Sequence, residues 1–262
     1  MIDLDVTRDA LERCYDVIEG ICARMDAAQW REQSLCPDWT SRGVVNHLVM
    51  MERAMTGWLP SSTEELPHFA RVANFDQEMA AVDDVAMASL VPETFAARRR
   101  DLAALTPADL DRPSWTPVGV KSFGRFLEIR IFDFWVHERD ITTPLGWQTD
   151  DTGPRAEIAL GEVEASLGYI VGKRIGLPDG TSIAFHLTGP LPRNIYVQVE
   201  GRAKLVDHLD NPSVEVTTDT VTFMQLACGR IDPQTQIEQG KITWTGDHAL
   251  GDRAARNLRF TM

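Results

Sequence analysis

The spacing of apolar and polar positions changes near the middle of the chain. From Thr7 to about Met25, the residues Ala10, Leu11, Cys14, Tyr15, Ile18, Ile21, Cys22 and Met25 recur at intervals of three and four, the signature of one face of an α-helix. The loop SLCPDW ends that helix. Thr40 or Ser41 can then cap a second helix to about Trp58, by accepting a backbone N–H at its open first turn. Its buried face is Val44, Val45, Leu48, Met51 or the adjacent Glu52, and Met55, with His47 on the edge. Beyond a loop holding Pro60 and Pro67, weaker helical signals run from Phe75 to Leu90, and a stronger one from Glu93 to Leu105. The Pro-rich passage TPADLDRPSWTPVG leads into a helix from about Ser122 to Thr143. Four long helical segments with irregular connections predict a four-helix bundle over residues 1–150.

Past TDDTGP, residues 149–154, the pattern becomes mixed. A helix from about Arg155 to Arg174 precedes SIAFHLTG and NIYVQVEG, whose β-branched and aromatic residues alternate as strand residues do. SVEVTTD and KITWTGD read as further strands, with TVTFMQLACG helical between them and HALGDRAARNLRF a closing helix. Residues 151–262 are therefore expected to form an α+β domain.

Composition narrows the function classes. The net charge of −13 leaves no basic face to neutralise phosphates, so a nucleic-acid partner is not expected. Arg98, Arg99 and Arg100 are the one basic cluster, and on an amphipathic helix they read as a solvated face. The start MIDLDVTRDALERC carries acids where a secretory signal would be basic and apolar, and no segment approaches about 18 apolar residues, so a soluble cytoplasmic protein without membrane contact is expected. Four cysteines without a CxxC pair point to reduced thiols, and Cys36 and Cys228 read as structural rather than nucleophilic.

Several catalytic motifs are absent by their letters. There is no GxSxG, and the GKIT at Gly240 lacks the upstream glycine of a phosphate-binding loop. VHERDI opens like HExxH but places Ile141 where the second histidine belongs. What remains is a polar stripe on an apolar helix: Arg130, Asp133, His137 and Asp140 in RIFDFWVHERD, at spacings of three, four and three. Two readings fit. In one, Arg130 pairs with Asp133 and His137 with Asp140, an ion-pair network without a metal. In the other, Asp133 and His137 aim an oxygen and a nitrogen at one divalent ion, and His47 from the second helix completes a three-ligand set with an open position. His68, His186, His208 and His248 show no acidic or histidine partner at useful sequence spacing.

PDWTSRGVVNHL, followed some eighty residues later by RIFDFWVHERD, resembles the mycothiol-dependent maleylpyruvate isomerase family, whose N-terminal domain is a DinB-like metal-binding four-helix bundle. LACGR and the closing GDHALGDRAARNLRFTM are similar to that family's sterol carrier protein-like C-terminal domain. The resemblance implies that His47, Asp133 and His137 bind a divalent metal, usually zinc, with Arg130 and Asp140 orienting Asp133 and His137. It further implies that Arg230 of LACGR acts in catalysis. At the position of Asp133 the isomerase itself has a glutamate. The implied activity uses mycothiol as co-substrate, with an unsaturated or electrophilic acid as its partner, as an isomerase or a thiol S-transferase. The residues alone also leave open a non-enzymatic small-molecule binder and a metal-dependent hydrolase.

Overall fold

The computed structural model describes residues 2–260. Thr261 and Met262, the end of the closing motif, lie outside the described residues. The chain divides into two compact units between Thr149 and Asp150.

The first unit is helical. Its elements are α1 (Leu4–Arg24), α2 (Ser41–Met55), α3 (Phe75–Ala80), α4 (Asp84–Ala104), α5 (Pro107–Leu110), a two-residue hairpin of β1 (Pro113–Ser114) and β2 (Lys121–Ser122), and α6 (Phe123–Thr142). Polar caps start the four long helices by satisfying their open N–H groups: Asp3 for α1, Thr40 for α2, Asp83 for α4 and Ser122 for α6. The expected break near Pro92 does not occur. α4 runs through Pro92, and the buried side chains of Met87, Val91 and Phe95 hold the two sides of the proline in one helix. α1 and α2 each pack against both α4 and α6. Tyr15, Phe95 and Phe134 form the aromatic centre, with ring centroids 4.7 to 5.8 Å apart.

The second unit is α+β. α7 (Gly153–Tyr169) widens into a π-helical turn over Ile170–Ile175 and is followed by β3 (Ser182–Thr188), β4 (Arg193–Glu200), β5 (Arg202–Val206), β6 (Val214–Asp219), α8 (Thr220–Ala227), α9 (Pro233–Glu238), β7 (Ile242–Gly246) and α10 (His248–Asn257). The sheet order is β5-β4-β3-β6-β7, with β3 and β6 parallel and the other neighbours antiparallel. Alternate residues such as Ile195, Val197 and Val199 of β4 and Val214 and Val216 of β6 are buried, so one face of the sheet forms the core. β5 has no counterpart in the sequence reading. It is an edge strand carrying Arg202 and Lys204, and such charges blunt an edge while erasing the apolar alternation by which strands are recognised. At the other edge α10 lies close on β7: a Cβ at Gly251 would stand 2.1 Å from the Trp244 ring.

Candidate metal centre

α2 and α6 bring together the three residues that the sequence pairs only as candidates. His47 Nε2 lies 3.2 Å from Asp133 Oδ2, and His137 Nε2 lies 3.4 Å from Asp133 Oδ1. One ligand atom from each of the three residues falls within 4.8 Å of the others. Ligand atoms bound tetrahedrally at about 2.0–2.1 Å sit roughly 3.3 Å apart. Two imidazole nitrogens and a carboxylate form a donor set of the kind that zinc takes, each nitrogen lying near that spacing from a different oxygen of Asp133.

The two histidines are oriented differently. His137 is buried, and its Nδ1–H donates to Asp140 Oδ2 at 2.8 Å, which fixes the tautomer and leaves Nε2 facing Asp133. Asp140 is fully buried, and its backbone oxygen accepts from Leu35 N at 3.0 Å. His47 is half-buried, and no partner to its Nδ1 is found among the described residues. Instead the Trp39 indole stacks on it, with centroids 5.0 Å apart and planes 29° apart, and reaches His137 at 5.7 Å. Gly43 makes this approach possible, because a Cβ there would meet Trp39 Cβ at 3.0 Å.

Charge is concentrated around Asp133. Burial opposes its ionisation, yet the Arg130 guanidinium and the imidazoles of His137 and His47 hold its carboxyl well below the usual carboxylate range. For His137, burial disfavours the cation, but Asp133 and Asp140 outweigh it and raise the metal-free imidazole to about 9. Arg130 is buried and donates through Nη1 to Asp133 Oδ2 at 2.6 Å. The ion pairs of the polar stripe thus form, Arg130 with Asp133 and His137 with Asp140, and the nitrogens of two histidines stand around one carboxylate.

Two further groups were not legible as part of this arrangement. Glu52, with 1% of its surface exposed, binds Arg130 through Oε1 at 3.1 and 3.2 Å. Arg98 is not on a solvated face, as its place in a basic run suggested. It is 3% exposed and donates to Glu52 Oε2 at 2.9 Å, because position 98 lies on the core-facing side of α4, below Thr94 and Phe95. Arg99, by contrast, reaches the partly exposed Glu19 and Asp16.

Beside His47 lies a pocket of about 280 Å³, lined by Trp39, Gly43, Asn46, His47, Met50 and Asp76. None of these is a lysine or arginine. The Oδ1 atom of Asn46 is buried without a hydrogen-bond partner in its wall.

Arg230 lies in the second unit, just past α8, where its Nη1 donates to the Cys228 carbonyl at 2.9 Å. His186 has partners that sequence spacing could not reveal: Asn194 and Glu215 face it from the neighbouring strands, at 2.7 Å each. Strand pairing, rather than separation along the chain, brings these groups together. None of the four cysteines forms a disulfide, and no described helix is long and apolar enough to cross a membrane.

Comparison with known proteins gives two family matches. Residues 11–142 match the mycothiol maleylpyruvate isomerase N-terminal domain, and residues 157–253 match the C-terminal domain of the same family. Among solved structures, the mycothiol-dependent maleylpyruvate isomerase is similar at a TM-score of 0.66 and 17% identity, over 98% of this chain and 97% of that one. A histidine-to-alanine mutant of that isomerase is similar at a TM-score of 0.64 and 16% identity, with the same coverage. At these identities the likeness establishes a shared fold. A search of curated proteins by sequence found no match.

Proposed function

Because the chain belongs to the mycothiol maleylpyruvate isomerase family, a family of enzymes, we propose that it isomerises an unsaturated acid with mycothiol as co-substrate, at a divalent ion held by His47, Asp133 and His137. The observation that carries this reading is the convergence of two imidazoles and a carboxylate, from two helices, beside an open pocket. Zinc is the ion this donor set favours; when bound it lowers the pKa of a thiol, which is then present as thiolate near neutral pH.

The chain's own residues set up that chemistry. Asp140 keeps the Nδ1 proton on His137, so Nε2 is the nitrogen offered to the ion. Arg130 holds one oxygen of Asp133. The pocket lined by Trp39, Asn46 and Asp76 has hydrogen-bonding groups and an aromatic face but no lysine or arginine, so it suits the hydroxylated body of the thiol better than a carboxylate. Arg230 is kept as a proposed catalytic residue of the second unit, on the ground that a guanidinium binds a carboxylate through two charge-assisted hydrogen bonds. Addition of the thiolate sulfur to the double bond converts it to a single bond with the negative charge delocalised into the neighbouring carbonyl. Rotation about that bond and expulsion of the same thiolate give the isomer and regenerate the co-substrate.

Two measurements test the proposal. Protein purified without added metal should carry about one equivalent of zinc, and the His47→Ala, His137→Ala double variant should carry none. Isomerisation of maleylpyruvate should require mycothiol and disappear in that variant. Full metal retention by the double variant, or turnover without any thiol, would contradict it.

A further inference from the structure

Behind Asp133, each of the four long helices of the bundle contributes one side chain to a single buried cluster: Tyr15 from α1, Glu52 from α2, Arg98 from α4 and Arg130 from α6. Glu52 is its hub. Its Oε2 accepts from Tyr15 Oη at 2.8 Å and from Arg98 Nε at 2.9 Å, and its Oε1 accepts from Arg130 Nε and Nη2 at 3.2 and 3.1 Å. Arg98 is anchored in turn on the Met55 carbonyl at 3.1 Å and on Asp101 at 2.9 Å. Arg130 Nη1, turned away from the hub, donates to Asp133 Oδ2 at 2.6 Å.

Stability alone does not account for such a cluster. Apolar residues of similar volume often stabilise a core as well as buried ion pairs do, whereas directional charge pairs favour one register of the elements that carry them. Here the register matters to the ligands. His47 and Glu52 share α2, about 7.5 Å apart along its axis, and Arg130 and Asp133 share α6, about one turn apart. A bond between Glu52 and Arg130 therefore ties the two ligand-bearing helices together about a turn from the ligands themselves. Asp133 has only one methylene between backbone and carboxylate, so it cannot make up for much sliding of α6 along α2.

We propose that Glu52 is a positioning residue for the metal centre: by fixing Arg130 it sets the orientation of Asp133 and the register of α2 on α6, with Tyr15 and Arg98 holding Glu52 in place. This rests on the metal reading given above. Its test uses full-length Glu52→Gln and Tyr15→Phe variants, with Leu11→Ala as a control that disturbs the same bundle by a core cavity outside the cluster. Zinc affinity is measured by chelator competition, the ligand field by the visible absorption of the cobalt-loaded protein, and folding by thermal denaturation. Glu52→Gln is expected to weaken zinc binding about tenfold or more and to change the cobalt spectrum. Tyr15→Phe should do the same to a smaller degree, and Leu11→Ala should lower the melting temperature with affinity and spectrum unchanged. If Glu52→Gln does not fold, Tyr15→Phe carries the same test. Wild-type affinity and spectrum in the folded cluster variants, or an equal loss in Leu11→Ala, overturns the proposal. A His47→Ala variant that keeps its metal overturns the metal reading itself, whatever Glu52 does.

Discussion

The proton on His137 gives a sharp prediction, because metal and proton compete for the same nitrogen. In the metal-free protein, Asp133 and Asp140 outweigh burial and raise this imidazole from about 6.5 to about 9. The group's folded value is raised, so its contribution to stability is fully present below about pH 6.5 and is lost as pH rises through about 9. For a residue only 5% exposed, that shift corresponds to about 3 kcal/mol. A metal requires the neutral imidazole, so each ion bound below about pH 9 releases a proton. Apparent zinc affinity should therefore rise roughly tenfold per pH unit between about 6.5 and 9, then level off. Metal-free protein should lose stability over the same interval, so the metal-loaded and metal-free melting curves diverge as pH increases. Chelator competition across this range, with calorimetry in buffers of different ionisation enthalpy to count protons, measures both effects. A pH-independent affinity with no proton release would mean instead that no ligand nitrogen is protonated in the metal-free protein, and that metal and proton do not compete at His137.

Other outcomes follow from single contacts. Asp140→Ala removes the acceptor of the His137 Nδ1 proton and should weaken metal binding by about 10- to 100-fold, measured by chelator competition, while the Leu35 N–H keeps its backbone acceptor. Gly251→Ala drives a methyl group into the Trp244 ring at 2.1 Å and should destabilise the second unit by about 1–3 kcal/mol in chemical denaturation, leaving metal content unchanged. Among the cysteines, Cys36 is half-buried, while Cys14, Cys22 and Cys228 are buried and burial pushes the Cys22 thiol up to about 12. Mass spectrometry after alkylation of the native protein should find Cys36 modified first and Cys22 unmodified until the protein unfolds.

Sequence periodicity located α1 and α2 because each buries one continuous face, and of the two caps offered for α2 it is Thr40 that accepts the open N–H. It gave separate signals up to Leu90 and from Glu93, whereas burial of Val91 and Phe95 keeps α4 continuous through Pro92. The charged edge strand β5 was invisible for the complementary reason: its residues satisfy an exposed edge, not a core. Within the candidate site, Asp133 and His137 could be paired by helical spacing, and His47 by its place on an apolar face. Glu52 was a different matter. In sequence it shares a buried position with Met51, and only the convergence of α1, α4 and α6 shows why a carboxylate stands there. Arg98 was misread because its neighbours Arg99 and Arg100 suggested a solvated run, although successive helical residues point about 100° apart. His186 met Asn194 and Glu215 through strand register, which local spacing does not encode.

In the proposed function, His47, Asp133 and His137 hold an ion that takes the sulfur of mycothiol. Titration of cobalt-substituted protein with mycothiol reads this contact itself, because a thiolate bound to cobalt gives an intense near-ultraviolet charge-transfer absorption. This absorption should appear, saturate at about one thiol per cobalt and be absent from the His47→Ala, His137→Ala variant. Saturable mycothiol binding to the cobalt-loaded protein with no such absorption would contradict it.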